Sequence, residues 1–170
     1  MKRYLSTVIA VFAALAMSLG LVSAATAAKP TAYVSSTSSP LLALGVNFGL
    51  FTMEGFGGTT IDPASKTINA EVIGNPDASG IIISKGGLTL SKADGTSLTI
   101  KNIKYDTRRG QVTGVIEGER VLLYTAKPIS ETTSQLIVAP EGGAYMRKFV
   151  NFLGVPADGS DFGTSTLKKA

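Results

Sequence analysis

Glu117 and Glu119 stand two residues apart. Paired carboxylates cleave glycosidic bonds when they face each other across a sugar at about 5–9 Å. On one strand these two share a face; if Gly118 turns the chain they become a solvated hairpin tip, which is the expected reading. Asp158-Gly159-Ser160-Asp161 offers two carboxylates to Ca²⁺. It lacks the further ligands and closing Glu of an EF-hand loop, so it reads as a polar turn. Gly55-Phe56-Gly57-Gly58 lacks the Lys-Ser/Thr of a phosphate loop and reads as a β-connection. Ser84-Lys85 lacks the spacing of a Ser-x-x-Lys nucleophile.

Lys101, Lys104, Arg108 and Arg109 form the densest basic cluster, with Lys101 and Arg109 expected on paired strands. Such a patch suits an anionic wall polymer, lipid headgroups or the propionates of a porphyrin, although a solvated hairpin is the plainer reading. Tyrosine is the remaining ligand type, because a phenolate can bind ferric haem iron. Tyr33, Tyr105, Tyr124 and Tyr145 are candidates by elimination. The plainer role for each is packing with the hydroxyl at the rim.

The elimination is compositional. The 170 residues include no Cys, no His and no Trp. Without Cys there is no disulfide framework, thiolate nucleophile or zinc-thiolate site. Without His there is no Ser-His-Asp or Cys-His machinery and no imidazole ligand. The expectation is a protein that is not an enzyme, with no metal and no resident cofactor, haem being the alternative.

The N-terminus has the order of a secretory signal peptide. Lys2 and Arg3 precede an apolar stretch from Val8 to Val22, broken only by Ser18 and Gly20; small residues follow, Ser23 to Ala28. Cleavage is expected after Ala24 or Ala27. The apolar run is somewhat short for a membrane span of ~20 residues, and no later stretch approaches that length. Cutting at Ala27 removes 27 residues and leaves 143, one domain of ordinary size. It also removes two of 16 basic residues, leaving 14 against 12 acidic. That balance argues against nucleic acid as a partner. An exported domain without cysteine points to a bacterial source.

The elements that must position these side chains are mostly strands. Residues 28–39 read as a flexible lead or as an extended first strand around Tyr33 and Val34, ahead of a single β-rich domain at 40–170. Ser39-Pro40 suits a helix start and Gly45 a stop, so a short helix is expected between them. Val46, Phe48, Leu50 and Thr52 then alternate as in a strand. Turn signals recur at Asp62-Pro63, Gly74 to Asp77, Asp94-Gly95, Asp106 to Gly110 and Gly118. The alternation of Leu98 and Ile100 slips by one at Asn102 before Ile103 and Tyr105, the mark of a bulge. Apolar residues at helical spacing predict one amphipathic helix over 141–153, stopped by Gly154 and Pro156. A last strand is expected at Thr164 to Leu167. The fold class expected is mainly β: an antiparallel β-sandwich or barrel of nine to ten short strands with one C-terminal helix.

The stretch Gly80 to Leu90, Leu98-Thr99-Ile100, Asp106 through Val115, Leu136-Ile137-Val138, Gly143-Ala144 and Asn151 to Gly154 together resemble secreted β-rich actinobacterial domains related to the HtaA-type domain of haem-uptake proteins. The resemblance covers roughly Leu41 to Leu167. It implies, in haem-binding members, a tyrosine on iron supported by a histidine near the Gly-Gly-Leu strand. Here that stretch reads Ser84-Lys85-Gly86-Gly87, without histidine. The expectation is a secreted, non-catalytic β-domain with a binding or structural role at the bacterial cell envelope, extracellular or wall-associated. Its expected partner is an envelope polymer or another envelope protein. The alternative is a haem carrier using one of the four tyrosines.

Overall fold

The computed structural model describes residues 32–151 and 155–170. The segment expected as a signal peptide, 1–27, and the expected helix end at 152–154 lie outside the described residues. Eleven strands are present: β1 (Tyr33–Ser38), β2 (Thr52–Phe56), β3 (Thr59–Ile61), β4 (Ile68–Ile73), β5 (Ile81–Ser84), β6 (Gly87–Ser91), β7 (Ser97–Asp106), β8 (Gln111–Ile116), β9 (Glu119–Pro128), β10 (Thr133–Val138) and β11 (Asp161–Lys169). Three helices join them: α1 (Pro40–Asn47), a single turn α2 (Pro76–Ser79) and α3 (Pro140–Val150).

Eight strands close an antiparallel barrel in the order β1-β11-β10-β9-β8-β7-β5-β4 and back to β1. Two of the walls, β7 and β4, change neighbours along their length. The first half of β7 pairs β6, which pairs β2; its last three residues pair β5. Likewise Ile68 to Ala70 of β4 pair β3, and Val72-Ile73 pair β5. One half of the barrel is therefore closed by β5, while the other carries β6, β2 and β3. The switch on β7 falls at Asn102, which has φ 52° and sits in the register shift between Lys101 and Lys104. The slip in the sequence pattern marks this bulge.

Tyr33–Ser38 is not a lead. It is β1, held between β11 and β4, so the β-rich unit begins ahead of Pro40. Ser39 then turns the chain into α1: its Oγ accepts the Leu42 N–H at 3.3 Å and donates to the Phe162 carbonyl at 2.6 Å. Gly45 does not stop this helix, which runs on to Asn47. A Cβ at Gly45 would fall 2.3 Å from the Phe51 ring, so the glycine is there for contact. The strand expected from Val46 gives way to helix and turn, and β2 starts only at Thr52.

Inward residues of β6 to β11 meet α1 and α3 in one core, with Leu90 and Ile116 fully enclosed. α3 is amphipathic as expected and buries Met146 and Phe149. It starts at Pro140 and ends at Val150, where Asn151 takes the left-handed conformation (φ 51°, ψ 44°). Glu141 in its first turn accepts the Leu122 N–H at 2.9 Å, and the Ala139 N–H bonds the Leu123 carbonyl at 3.0 Å. Arg147 and Lys148 lie in the last turn, where cations suit the helix dipole. Among the described residues no helix is long and apolar enough to cross a membrane.

Candidate functional site

The charged candidates are dispersed. Glu117-Gly118 is the two-residue turn of the β8–β9 hairpin, with φ 53° and 90°, and Ile116 pairs directly with Glu119. The two carboxylates flank an exposed tip. Asp158 is ion-paired to Arg147 at 2.5 Å, while Asp161 accepts the Gly163 N–H at 2.9 Å. Each has its own structural partner, and no cluster of three acidic groups occurs among the described residues. Gly57-Gly58 is the tight β2–β3 turn, and Gly86 with φ 82° lets the Phe56 carbonyl pass 1.8 Å from where a Cβ would stand. Ser84 lines the barrel interior, and Lys85 pairs with Glu71 at 3.0 Å on the surface.

Lys101 and Arg109 are not on paired strands. Lys101 is in β7 opposite Val115 and Gly87, and Arg109 is in the β7–β8 turn. Asp106 accepts the N–H groups of Arg108 and Arg109, each at 3.1 Å, and its carboxylate lies 3.9 Å from the Arg109 guanidinium. The cluster thus spans a strand and a turn with an acid set within it. This is the solvated hairpin, not a concentrated anion site.

The tyrosines separate by environment. Buried Tyr33 donates its hydroxyl to Asp77, with Lys169 over its ring at 5.8 Å. That hydrogen bond, then desolvation, raises its pKa. The Tyr105 hydroxyl is 2.9 Å from Ser134 Oγ. Tyr145 is half-buried on α3 against the core and lines neither the barrel interior nor the space between α1 and α3. Tyr124 lines the barrel interior and stacks on Phe162 with centroids 4.3 Å apart. Burial pushes its pKa well above that of an ordinary tyrosine.

Two cavities organise the apolar side chains. The first, inside the barrel, has a volume of about 80 Å³. Its wall is mainly aliphatic, with hydroxyls from Ser35, Thr37, Thr59, Ser84 and Ser165 and no charged residue. The second, of about 180 Å³, is a groove between α1 and α3. Among the described residues only apolar ones and Gly45 line it, including Leu44, Phe48, Leu50 and Val155. Those four are half of the large hydrophobic side chains exposed among the described residues, and Phe48 is 75% exposed.

Haem does not fit this arrangement. A porphyrin needs a slot of several hundred Å³, and the cavity beside Tyr105 and Tyr124 is far smaller. The groove is larger but no tyrosine lines it. Tyr33 and Tyr105 have their hydroxyls engaged, and the raised pKa of Tyr124 opposes the phenolate that iron requires.

Sequence reasoning missed the groove because it read Val46 to Thr52 as a strand. A signal was present. Leu41, Leu42, Leu44, Val46 and Phe48 would spread over about 200° of a helix at about 100° per residue, which is more apolar surface than one core contact can cover.

Compared with known proteins, the chain matches no family pattern, and no curated protein is similar enough in sequence to count as a relative.

Proposed function

We infer that the mature chain is a secreted, non-catalytic binding domain of the bacterial cell envelope, and that it takes a hydrocarbon-bearing partner in the groove between α1 and α3. The observation that carries this reading is the groove itself: Leu44, Phe48, Leu50 and Val155 converge there in the open, with no polar side chain in the lining. Contiguous exposed apolar surface of this kind marks interaction sites. Its chemistry selects the partner. A polysaccharide would bury hydroxyls without hydrogen-bond partners, which is unfavourable. An alkyl chain loses only contact with water, a gain of about 25 cal/mol per Å². The export-signal order of residues 1–27 supports secretion, and the lack of His and Cys supports a non-catalytic role.

The test is titration of the domain from Ala28 with the neutral dye N-phenyl-1-naphthylamine, alongside purified cell-wall polysaccharide. Saturable fluorescence enhancement, weakened at least tenfold by Phe48→Ser with circular dichroism unchanged, supports the reading. Dye binding indifferent to Phe48→Ser, or saturable binding of the polysaccharide instead, overturns it.

A further inference from the structure

The barrel cavity and the groove share three wall residues: Leu42 from α1, Met146 from α3 and Phe162 from β11. These side chains are all that the two spaces have in common, and they form the partition between them. Methionine is unbranched, with three rotatable bonds, and repacks more readily than any other large apolar residue. A partition containing Met146 can open by rotamer change without moving a strand.

Behind it stands a tyrosine whose hydroxyl has no partner among the described residues. Tyr124 is 9% exposed, and its hydroxyl makes no hydrogen bond among the described residues. Desolvation alone raises its pKa. Among the described residues no fully enclosed side-chain polar atom lacks a partner, so this hydroxyl opens onto water-sized space. Tyr124 is one of the residues that line the cavity.

We propose that groove and cavity are two parts of one site for a neutral, unbranched amphiphile, a long-chain alcohol or ester, whose chain lies in the groove and whose oxygen bonds the Tyr124 hydroxyl once Met146 swings aside. This rests on the groove being a hydrocarbon site. The ligand is neutral because no charged residue among those described lines the cavity, and a carboxylate there would be buried unpaired. It is unbranched because about 80 Å³ is near half the ~150 Å³ that accommodates a benzene ring. The end of a chain fits and a ring system does not.

After signal cleavage only Met53 and Met146 remain of the four methionines, so ¹³C-methyl methionine NMR reads the partition directly. The probes are 1-octanol and octanoate, added to the domain from Ala28. The expected result is a saturable Met146 shift with 1-octanol and affinity for octanoate at least tenfold weaker. Tyr124→Phe keeps the ring and should weaken 1-octanol about 2- to 10-fold, the range of one neutral hydrogen bond. A nuclear Overhauser contact between the octanol C1 protons and the Tyr124 ring in the unmutated protein supports the proposal independently of any variant. If Phe48→Ser weakens 1-octanol but Tyr124→Phe does not, and that contact is absent, the ligand stays in the groove; this proposal falls and the proposed function stands. If neither substitution matters, or 1-octanol does not bind, both fall. Equal affinity for octanoate overturns the neutral head group.

Discussion

Gly142→Ala tests how α3 is seated. In an exposed helix this change is favourable by about 1 kcal/mol, because glycine is the poorer helix former. Here the new Cβ would lie 2.6 Å from the Leu123 Cα and 2.7 Å from its carbonyl oxygen, both backbone atoms of β9. Ordinary contact begins at 3.4 Å, so helix and strand must part by roughly 0.8 Å, the difference between those two distances. Such overpacking costs about 1–3 kcal/mol. The same displacement pulls on the Glu141–Leu122 and Ala139–Leu123 hydrogen bonds at 2.9 and 3.0 Å. Each of these contributes about 0.5–1.5 kcal/mol. Set against the propensity gain, the net loss is about 1–3 kcal/mol, or roughly 3–10 °C in Tm for a domain near this size.

The neighbouring glycine is the internal control. A Cβ at Gly143 would meet Asp158 Oδ1 at 2.6 Å, Arg147 Nη1 at 2.8 Å and Val138 Cγ1 at 3.0 Å. These are side-chain ends, and the first two can swing outward. Their ion pair is partly exposed and worth at most ~1 kcal/mol. Gly143→Ala should therefore cost clearly less than Gly142→Ala. Urea and thermal unfolding of both variants, followed by circular dichroism, decide the matter. An unchanged or raised Tm for Gly142→Ala, or the reverse order of the two, refutes the seating of α3 on the β9 backbone.

Three further outcomes follow from the same structure. Phe149→Ala, at a site 4% exposed with the Phe51 ring 5.8 Å away, should lower stability by about 3–5 kcal/mol, read as a fall in urea midpoint at constant m. Gly86→Ala combines a φ of 82° with a backbone clash at Phe56. It should cost about 2–4 kcal/mol in strain and overpacking, and speed amide exchange in Thr52–Phe56 in particular. Tyr33 and Tyr124 both have pKa values raised in the folded state, so the fold holds protons that the unfolded chain releases. Their contribution is complete below the ordinary tyrosine pKa near 10 and declines as pH rises above it. Unfolding free energy from urea titrations at pH 8 to 11 should fall along that limb, and Tyr124→Phe should flatten it; an unchanged slope would remove Tyr124 as the cause.

Where the sequence predicted well, the signal was local. Asp94-Gly95 forms the β6–β7 turn with Asp94 Oδ1 on the Thr96 N–H at 2.8 Å, because a short carboxylate and a glycine can satisfy a turn within four residues. Ser39 caps α1 and Asn102 bulges for reasons equally contained in a few residues. The β-rich class, the closing antiparallel ladder and the single amphipathic C-terminal helix follow from many such signals in sum. The errors lie where a distant residue decides. Gly45 reads as a stop until the ring of Phe51 is placed against it, and Tyr33–Ser38 reads equally as lead or strand until β11 supplies a partner from the other end of the chain.

The candidate site was legible only in part, for a related reason. Sequence searches for chemistry favour polar groups at defined spacing, and several of those groups here are taken up by structural partners: Asp158 on Arg147, Asp106 on its own turn, Tyr33 on Asp77. Among the described residues the fold leaves apolar surface open at Phe48 and the Tyr124 hydroxyl without a partner; the tyrosine is legible as a residue type, while the exposed phenylalanine reads as part of a strand. A barrel with a partition at Met146 needs no bond-making chemistry to bind a chain. The two unsatisfied features stand on opposite sides of that partition, so a single ligand that satisfies both gains more than two ligands each satisfying one, since only one association entropy is lost.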